Sequence, residues 1–370
     1  MNRVARFLGK IRRGEINSYL KKAYNPLSDR AQMFHSRQQA KRITHLVCKQ
    51  KESKVVDSTL KKRIKKYAQT WFGSPDYWPW LVLYTEIRGE FHEGWIPCDY
   101  YCFRLAGKLN PVESSYLSFK KSFDHRLFGD FSFPYIVFKT NGLFFDMNLN
   151  ALDEETALKK IQNTEGEVVI KKESGRGGKD ITFMEAGQVK RDNLPQAYDY
   201  LVQRKAMQHD HINAVYPDSI NTIRITTFLD FDATVKVKNV VMRVGTGGSR
   251  TDNFKTGGNL LFFDDQGWCK NHAYAGITLE PEHKHPDTGF EYSRLRVTAL
   301  ARAKQRCIES HYKYPYLRLI GWDVFIDREN NPRLIEWNGK LPGYWPMEAL
   351  VGPYWSMDEI EKFRKIKISK

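Results

Sequence analysis

The feature that most constrains the fold is a pair of apolar segments on either side of a polar stretch, WDVFIDRENNPRLIEWNGKLPG. Polar, asparagine-rich stretches between apolar segments are typical of turns, so the pattern predicts an antiparallel β-hairpin. If RENN forms a four-residue loop, Asp327 faces Pro332 and Asp323 faces Glu336. Because side chains alternate between the two faces of a strand, Asn338 is expected on the same face as Asp323 and Glu336.

These two facing acids require compensation. Ionised carboxylates about 5 Å apart repel by roughly 3 kcal/mol at an effective dielectric constant near 20. A Mg²⁺ ion removes the repulsion, since it binds one or two carboxylates together with carbonyl and phosphate oxygens. Surface acids on an edge strand are the alternative, but the apolar neighbours of the acids favour a sheet with a covered face. Asp323, Glu336 and Asn338 are therefore predicted to bind Mg²⁺. Because so few protein groups would bind the ion, we expect a nucleotide to provide further ligands through its phosphates.

A candidate phosphate-binding loop precedes the hairpin, in VVIKKESGRGGKDITF. Glycines let backbone N–H groups approach phosphate oxygens, and a neighbouring lysine adds positive charge. The loop leads into a strand, and no Ser or Thr follows the lysine of GGKD, so it is not a Walker loop; nor does it fit the dinucleotide fingerprint. An ordinary tight hairpin turn remains the alternative. The residues of the candidate loop are Lys171, Ser174, Gly175, Arg176, Gly177 and Gly178.

The order of segments predicts an α+β protein in three parts. Residues 1–110 are expected to form a basic, largely helical region. Residues 111–205 contain the short apolar runs FPYIVFK, GLFFDM, GEVVIKK, ITFME and DYLVQRK with one helix, DEETALKKIQN. Residues 206–370 contain NTIRITTFLD, VKVKNVVMRV and LLFFDD, a helix over roughly 292–310, and the hairpin. No recurring βαβ spacing is present, which argues against a doubly wound parallel sheet.

Positive charge is concentrated at the N-terminus. The first 66 residues contain 19 Lys and Arg against four acids, which is +15 of the net charge of +16. Such a region suits an anionic membrane surface or an acidic polysaccharide, with a solvated helical surface as the simpler alternative. Leu8, Ile11, Ile16 and Leu20 form a modest apolar stripe that is compatible with a helix on a membrane. The aromatic segment WFGSPDYWPWLVLYTEIRGEFHEGW is expected in the core, or else as a sugar-stacking wall.

Other features of the sequence limit the compartment. No apolar run of about 18 residues exists, so no membrane-spanning helix is expected. The N-terminus lacks the apolar region of a signal peptide. Among five cysteines only Cys98 and Cys102 are close, so no zinc-ligand spacing is present. We expect a cytoplasmic protein, with peripheral attachment to the inner membrane face as an option.

The combination and order of these segments resemble the ATP-grasp superfamily, from about Ser118 to Tyr354. A phosphate loop between antiparallel strands, the strand and turn YLVQRKAM, and a hairpin containing WD and EWN follow that plan. Within the superfamily, SINTIRITTF, VVMRVGTGGSRTDNFKTGG, HPDTG and LIGWDVFI are similar to the sugar-transfer-associated ATP-grasp branch, which is found with genes for cell-surface polysaccharide assembly. The resemblance implies an antiparallel-sheet lid, a C-terminal α+β subdomain, and ATP with Mg²⁺ as cofactors.

The resemblance also implies roles in nucleotide binding. It matches the three hairpin residues with Mg²⁺ ligands, Lys171 with a phosphate-binding lysine, and the glycine-rich segment with a mobile loop that covers the nucleotide. A second phosphate lysine should precede the lid, and Lys120 and Lys121 are both compatible. The acid expected in the adenine-binding hinge is replaced by a basic residue, and Asp210 is a candidate for holding the ribose. The hinge residues are Gln203, Arg204, Lys205 and Ala206.

Two arginines carry the substrate prediction. Residues similar to Arg224 and Arg243 bind a carboxylate or its acyl phosphate in peptide-like ligases of the superfamily, while simple pairing with acids on the sheet is the alternative. Asp252 and Asn253 are expected to position substrate near the metal. For His285 a structural role is preferred over assistance in proton movement.

These roles predict an ATP- and Mg²⁺-dependent carbon–nitrogen ligase. ATP would convert a carboxylate into an acyl phosphate, and an amine or hydroxyl would then displace phosphate, with catalysis by positioning and charge neutralisation. The expected partners are a small carboxylate and an amine, sugar or glycan-precursor acceptor in capsule, O-antigen or exopolysaccharide biosynthesis. A phosphotransferase acting on a sugar or glycan precursor is the alternative. A ligase that binds RNA or tRNA ranks last, because the basic region is poor in stacking aromatics.

Overall fold

Two compact units make up the chain. The architecture, seen in a computed structural model, is described for residues 17–175, 181–252, 254 and 257–366, with side chains from residue 29 onward. One unit combines the residues up to Leu105 with those from Glu348 onward, and the second spans Ala106–Met347. The expected part 206–370 is thus divided between the units. Its last residues belong to the helical unit, where the Trp95 indole donates a hydrogen bond to the Glu348 carbonyl at 2.9 Å.

Six helices of eight or more residues occur in the described part of the chain. They are α1 (Asn17–Lys51), α2 (Ser58–Phe72), α3 (Trp78–Arg88), α4 (Glu154–Gln162), α5 (Leu300–Lys313) and α6 (Met357–Lys365). Shorter helical segments are Pro75–Tyr77, Cys98–Tyr100, Tyr101–Leu105, Ala106–Leu109, Val112–Ser115, Tyr116–Phe119, Lys121–Phe123, Asp124–Phe128, Gly129–Phe131, Ala186–Gln188, Arg191–Asn193, Asp210–Asn213, Tyr292–Arg294 and Trp345–Val351. No described helix combines the length and the apolar character that crossing a bilayer requires.

The helical unit is built around aromatic side chains. Helix α2 begins after Asp57, whose carboxylate accepts the Leu60 N–H at 2.7 Å, and ends at Gly73, where a φ of 79° suits glycine. Trp80 and Trp95 are fully buried. The aromatic segment thus contributes to the hydrophobic core, which is the first of the two roles expected for it. The predicted apolar stripe in residues 8–20 lies outside the residues whose side chains are described.

The second unit contains two antiparallel sheets. The strands are β1 (Val137–Thr140), β2 (Leu143–Phe145), β3 (Ala151–Leu152), β4 (Glu167–Lys172), β5 (Ile181–Glu185), β6 (Tyr200–Arg204), β7 (Ile223–Leu229), β8 (Val235–Val244), β9 (Asn259–Phe263), β10 (Cys269–Ala275), β11 (Glu280–Glu282), β12 (Leu319–Ile326) and β13 (Pro332–Asn338). The smaller sheet has the order β3-β2-β1-β6-β4-β5, and the larger has the order β11-β10-β9-β8-β7-β12-β13. The predicted α+β class with antiparallel sheets is confirmed.

Each sheet is covered by one long helix. Helix α4 buries Ala157 and Ile161 in the core of the smaller sheet, whereas α5 buries Ala303 and Cys307 in the core of the larger one. In the hairpin β12–β13 the indoles of Trp322 and Trp337 stack at a centroid distance of 6.0 Å within that core. Because side chains alternate along a strand, their polar neighbours in sequence occupy the opposite face.

The hairpin register differs in part from the prediction. Asp323 does pair with Glu336, as expected, but Ile326 rather than Asp327 faces Pro332. The loop therefore has five residues, and a bulge after Asp323 restores the expected pairing. Asn330 adopts a φ of 61°, and the Asp327 N–H donates to the Asn331 carbonyl at 2.9 Å. These contacts fix the longer loop.

The helix expected over 292–310 is shorter than predicted. After the turn Tyr292–Arg294 the backbone pairs with the start of β10, since the Cys269 N–H donates to the Leu295 carbonyl at 3.0 Å and the Val297 N–H donates to the Gly267 carbonyl at 2.8 Å. Those groups are unavailable to a helix, so α5 begins only at residue 300. Strands β3, β10 and β11 were not predicted.

Candidate active site

A cavity of about 840 Å³ opens in the second unit between its two sheets. Both sheets contribute to the wall, through Val169 and Phe183 from the smaller one and Val241 and Leu260 from the larger one. Eleven predicted site residues also line it: Lys171, Arg204, Lys205, Ala206, Asp210, Arg224, Arg243, Asp252, Asp323, Glu336 and Asn338. The fold thus brings residues from distant parts of the sequence to one space.

The remaining predicted residues fall into two groups. Those that are described but do not line the cavity are Lys121, Ser174, Gly175 and Gln203. Those that lie outside the described residues are Arg176, Gly177, Gly178 and Asn253. His285 is buried and does not line the cavity; its ring bonds to the Gly245 carbonyl at 2.8 Å and stacks on Tyr216, which matches the preferred structural role.

The two hairpin acids have opposite electrostatic environments. Asp323 is 1% exposed, and burial alone would raise its pKa, but the guanidinium groups of Arg224 and Arg243 outweigh burial and lower the pKa to about 2. Burial, followed by the charge of Asp323, raises the pKa of Glu336. Asp323 is thus a fixed anion, whereas Glu336 is the acid that a cation would relieve of repulsion.

The two arginines bracket Asp323. Strand β7 pairs Arg224 directly with Asp323 of β12, and both Nε and Nη2 of Arg224 donate to the carboxylate, the second at 2.8 Å. Arg243 Nη2 lies 3.2 Å from the same carboxylate and its Nε lies 3.5 Å from Asp252. Within the protein, the two arginines therefore do pair with acids, which is the alternative stated for them from the sequence. Both also reach the cavity wall, so this pairing leaves them accessible to a ligand.

Thr222 contacts both Arg243 and Asp252, although the sequence did not indicate it as a site residue. Its hydroxyl donates to Asp252, its N–H donates to Asp252 at 2.9 Å, and the hydroxyl accepts from Arg243 Nη2 at 2.6 Å. Thr222 lies two residues before Arg224, so its place on the same side of the chain could have been inferred from the NTIR sequence. The hydroxyl joins the acid to the arginine.

Replacing Thr222 with Val is expected to lower the free energy of unfolding by about 1–3 kcal/mol. Valine keeps the shape but leaves the partly buried Asp252 carboxylate without its hydroxyl donor. Urea unfolding monitored by circular dichroism measures the effect, with Thr182→Val on the exposed side of β5 as the control, expected within about 0.5 kcal/mol of the wild type. Equal stability of the two variants would show that the hydroxyl contributes nothing.

Two lysines approach the site from different elements. Burial, followed by the charge of Lys121, lowers the pKa of Lys171 to about 8, against an opposing effect of Glu336. Lys121 Nζ donates to the carbonyls of Glu173 and Gly175, at 3.2 and 2.8 Å, so it anchors the beginning of the glycine-rich loop. Lys120 is exposed. These contacts favour Lys121 over Lys120 as the second lysine of the site.

The basic hinge is balanced by an acid on the neighbouring strand. Lys205 Nζ lies 2.6 Å from a carboxylate oxygen of Glu167, and Arg250 Nη2 lies 3.0 Å from the same oxygen. Gln203 does not line the cavity, and its side-chain amide donates to the Phe133 carbonyl at 2.9 Å. Glu167 thus pairs with both Lys205 and Arg250, and the sequence did not indicate the first pair because Glu167 and Lys205 are 38 residues apart.

The hairpin fits a divalent cation with few protein ligands. In the described residues no group of three or more His, Cys, Asp and Glu gathers in a way that could hold a metal. The oxygens of Asp323 are engaged by guanidinium groups, whereas no described cation forms an ion pair with Glu336. Asn338 Nδ2 points to Asp323 at 3.4 Å, which leaves its amide oxygen free. Glu336 and Asn338 therefore suit Mg²⁺, which takes one or two carboxylates and fills its shell from phosphates and water.

Comparisons with known proteins match one family description and several solved structures. The family description sugar-transfer associated ATP-grasp matches residues 130–353. No curated protein sequence matches the chain. Among solved structures, the ATP-grasp ligase PsnB with its minimal precursor is 13% identical with a TM-score of 0.38, over 70% of this chain and 64% of that one.

Two further structures show the same range of similarity. Biotin carboxylase from Campylobacter jejuni is 14% identical with a TM-score of 0.42, over 71% of this chain and 50% of that one. N5-carboxyaminoimidazole ribonucleotide synthetase from Thermotoga maritima is 9% identical with a TM-score of 0.41, over 70% and 53%. The chain spans less than two thirds of the length of each of these structures.

Proposed function

Because the chain belongs to the sugar-transfer associated ATP-grasp family, we propose that it is an ATP- and Mg²⁺-dependent ligase. It would join a carboxylate to an amine or hydroxyl acceptor in the assembly or modification of cell-surface polysaccharide. The observation that supports this most is the convergence of Lys171, Arg224, Arg243 and Glu336 on one cavity. This set offers cations for phosphate and carboxylate groups beside an acid for a metal. The cavity has the volume of a small-molecule or cofactor site.

The residues of the chain divide into cofactor and substrate roles. Bound ATP with Mg²⁺ would supply the phosphoryl group that makes a carboxylate electrophilic. Glu336 and Asn338 would hold the metal, with Asp323 fixed beside them by its arginines. Lys121 and Lys171 would bind phosphate oxygens. The loop that covers the nucleotide, the hinge that binds the base and the ribose contact would be Ser174–Gly178, Gln203–Ala206 and Asp210.

The arginines would orient the substrate. Arg243 has a side chain that is 21% exposed, about twice the exposure of Arg224, so it has more surface for a carboxylate. A carboxylate oxygen would form a bond to phosphorus as the bond to ADP breaks. The acceptor nitrogen or oxygen would then bond to the carbonyl carbon as phosphate leaves, with its proton passing to solvent. Asp252 and Asn253 would position the acceptor.

A screen for ADP release tests the proposal. Purified protein is incubated with ATP, Mg²⁺ and pools of carboxylates, amines and sugars, with Glu336→Gln as the control. We expect Mg²⁺-dependent ADP release that needs both the carboxylate pool and an acceptor pool, and formation of a hydroxamate when hydroxylamine replaces the amine. A stable phosphorylated sugar formed without a carboxylate would support the phosphotransferase alternative. No ADP release beyond that of the control would contradict both.

Nucleotide affinity is expected to fall as the pH rises through about 8. The phosphates of ADP favour the charged form of Lys171, which is present below its pKa of about 8 and is lost above it. Affinity should therefore decrease by up to about tenfold per pH unit above that value. Calorimetric titration with Mg²⁺ and ADP measures the profile. Lys171→Arg should remove the decrease, and an identical profile in that variant would assign the titration to another group.

The basic N-terminal region is proposed to hold an anionic partner, such as a membrane surface or an acidic polysaccharide. Its support is the charge of +15 in the first 66 residues. We place the reaction in the cytoplasm, at the inner membrane face, as part of the same proposal.

A further inference from the structure

Three lysines of the helical unit gather around the partly buried indole of Trp78. The Lys61 ammonium lies 4.1 Å from the ring centroid, and those of Lys41 and Lys65 lie 5.5 and 5.8 Å from it. Lys41 comes from α1 and the other two from one face of α2, four residues apart. Lys54, in the connection between these helices, contributes to the same positive field. Two helices and a connection therefore direct positive charge to one place.

The acids of this neighbourhood have other partners. The Asp57 carboxylate caps α2, Asp76 lies 3.8 Å from Arg37, and Glu86 accepts the N–H groups of Val55 and Val56. Among the described residues, no acid forms an ion pair with any of the four lysines. No acid of the described chain therefore pairs directly with the cluster.

The indole compensates only part of the repulsion. A cation over an aromatic face gains only a small attraction at an exposed site, and the three ammonium groups share a single ring. Burial, followed by the charges of Lys65, Lys54 and Lys41, lowers the pKa of Lys61. The proton on Lys61 is thus held less firmly than on a free lysine, which an anion at the cluster would reverse.

We propose that Lys41, Lys54, Lys61 and Lys65 form a binding site for a phosphate-bearing ligand, with a pyrophosphate group as the best match. Lysine ammonium groups act as mobile point charges that bind phosphate without a fixed bidentate geometry, and several of them match the several charges of a pyrophosphate. None of the four lines the cavity of the second unit. The inference names a site and a ligand chemistry for the proposed anionic partner, and it does not depend on the ligase reaction.

A pair of matched triple variants tests the site in the full chain. The site variant carries Lys41→Gln, Lys61→Gln and Lys65→Gln. The control carries Lys49→Gln, Lys62→Gln and Lys66→Gln, exposed positions of the same two helices with the same change in net charge. In calorimetric titration with inorganic pyrophosphate, we expect at least about tenfold weaker binding for the site variant, because the attraction of three positive charges for the ligand is lost. Equal loss in both variants, or no binding by the wild type, would overturn the proposal.

The source of the phosphate is distinguished with vesicles. Phosphatidylcholine vesicles are compared with and without phosphatidic acid. Binding that needs phosphatidic acid, is lost in the site variant and is competed by pyrophosphate would assign the site to a lipid headgroup. Pyrophosphate binding without any vesicle binding would assign it to a soluble phosphate ester. Vesicle binding that is equal in both triple variants and insensitive to pyrophosphate would contradict a headgroup site.

Two further measurements distinguish the loss of this site from misfolding and from an effect on the nucleotide site. Removal of mutually repelling charges should not prevent folding, and the single variant Lys61→Gln, with an expected loss of about threefold, replaces the triple variant if that fails to fold. The melting shift with ATP and Mg²⁺ is measured in both triple variants and should equal that of the wild type. Loss of pyrophosphate binding with this shift retained separates the lysine site from the nucleotide site.

Discussion

Replacing Glu336 with Gln is expected to abolish the stabilisation of the protein by ATP and Mg²⁺. At a ligand concentration of 100 times the dissociation constant, binding to the native state adds about 2.7 kcal/mol, which is visible as a rise in melting temperature. The wild type should show this rise only when Mg²⁺ is present. The variant should show none, because glutamine cannot supply the anionic oxygen that the ion needs.

The same substitution should leave the unliganded protein at least as stable as the wild type. Burial and the neighbouring Asp323 already raise the pKa of Glu336, so the loss of its charge relieves repulsion. Ligand response and stability are thereby separated in one experiment. Glu329→Gln, at an exposed position of the same hairpin loop, is the control and should keep the full shift. A wild-type shift in Glu336→Gln would contradict the metal assignment.

Replacing Arg224 with Met is expected to lower the free energy of unfolding by about 3 kcal/mol. Arg224 and Asp323 are 9% and 1% exposed, and removal of one partner of a buried pair leaves a charge without compensation. Arg243 remains within 3.2 Å of Asp323, so the loss should lie near the lower end of the range for such pairs. Guanidinium chloride unfolding measures it.

A double variant identifies the cause of that loss. Arg224→Met with Asp323→Asn removes both charges and should recover most of the lost stability, whereas Arg294→Met at an exposed position should change little. If the double variant is as unstable as the single one, packing rather than charge accounts for the effect.

Acid sensitivity provides an independent check on the same pair. The pKa of Asp323 is lowered to about 2 in the folded protein, below its value of about 3.9 in an unfolded chain. Its stabilising contribution is therefore present above about pH 4 and is lost as the pH falls toward 2. The free energy of unfolding of the wild type should exceed that of Asp323→Asn by a smaller amount near pH 2 than near pH 4.

Local patterns were sufficient for much of the fold. Short runs of apolar residues predicted β4, β5, β7, β8 and the hairpin, and the acid-rich turn predicted α4. The pairing of Asp323 with Glu336 was also predicted, although the loop was one residue longer than assumed and a bulge corrected the register. The prediction of a helix over 292–299 was wrong, because backbone hydrogen bonds to residues 267–269 outweigh the local preference of this segment for a helix.

The candidate site was accessible from the sequence only where its residues carry unusual chemistry. Facing acids in an apolar hairpin, a lysine before a glycine-rich loop and paired arginines all attract notice by residue type. Thr222 and Glu167 do not, because a threonine or glutamate in a strand is ordinary until its partner is known. Their partners lie 21 and 38 residues away in the sequence.

The sequence by itself determined the family, the antiparallel class, the basic N-terminal region and eleven of the residues that line the cavity. The family followed from the resemblance of the motifs, and the other features follow from residue type and the spacing of apolar runs, which are local properties of the chain. Only the tertiary structure decided that two arginines occupy the oxygens of Asp323, and that lysines from two helices converge near Trp78 with no ion-paired acid among the described residues. Ionic interactions depend on distance and burial, and neither is encoded in the spacing of residues along the chain.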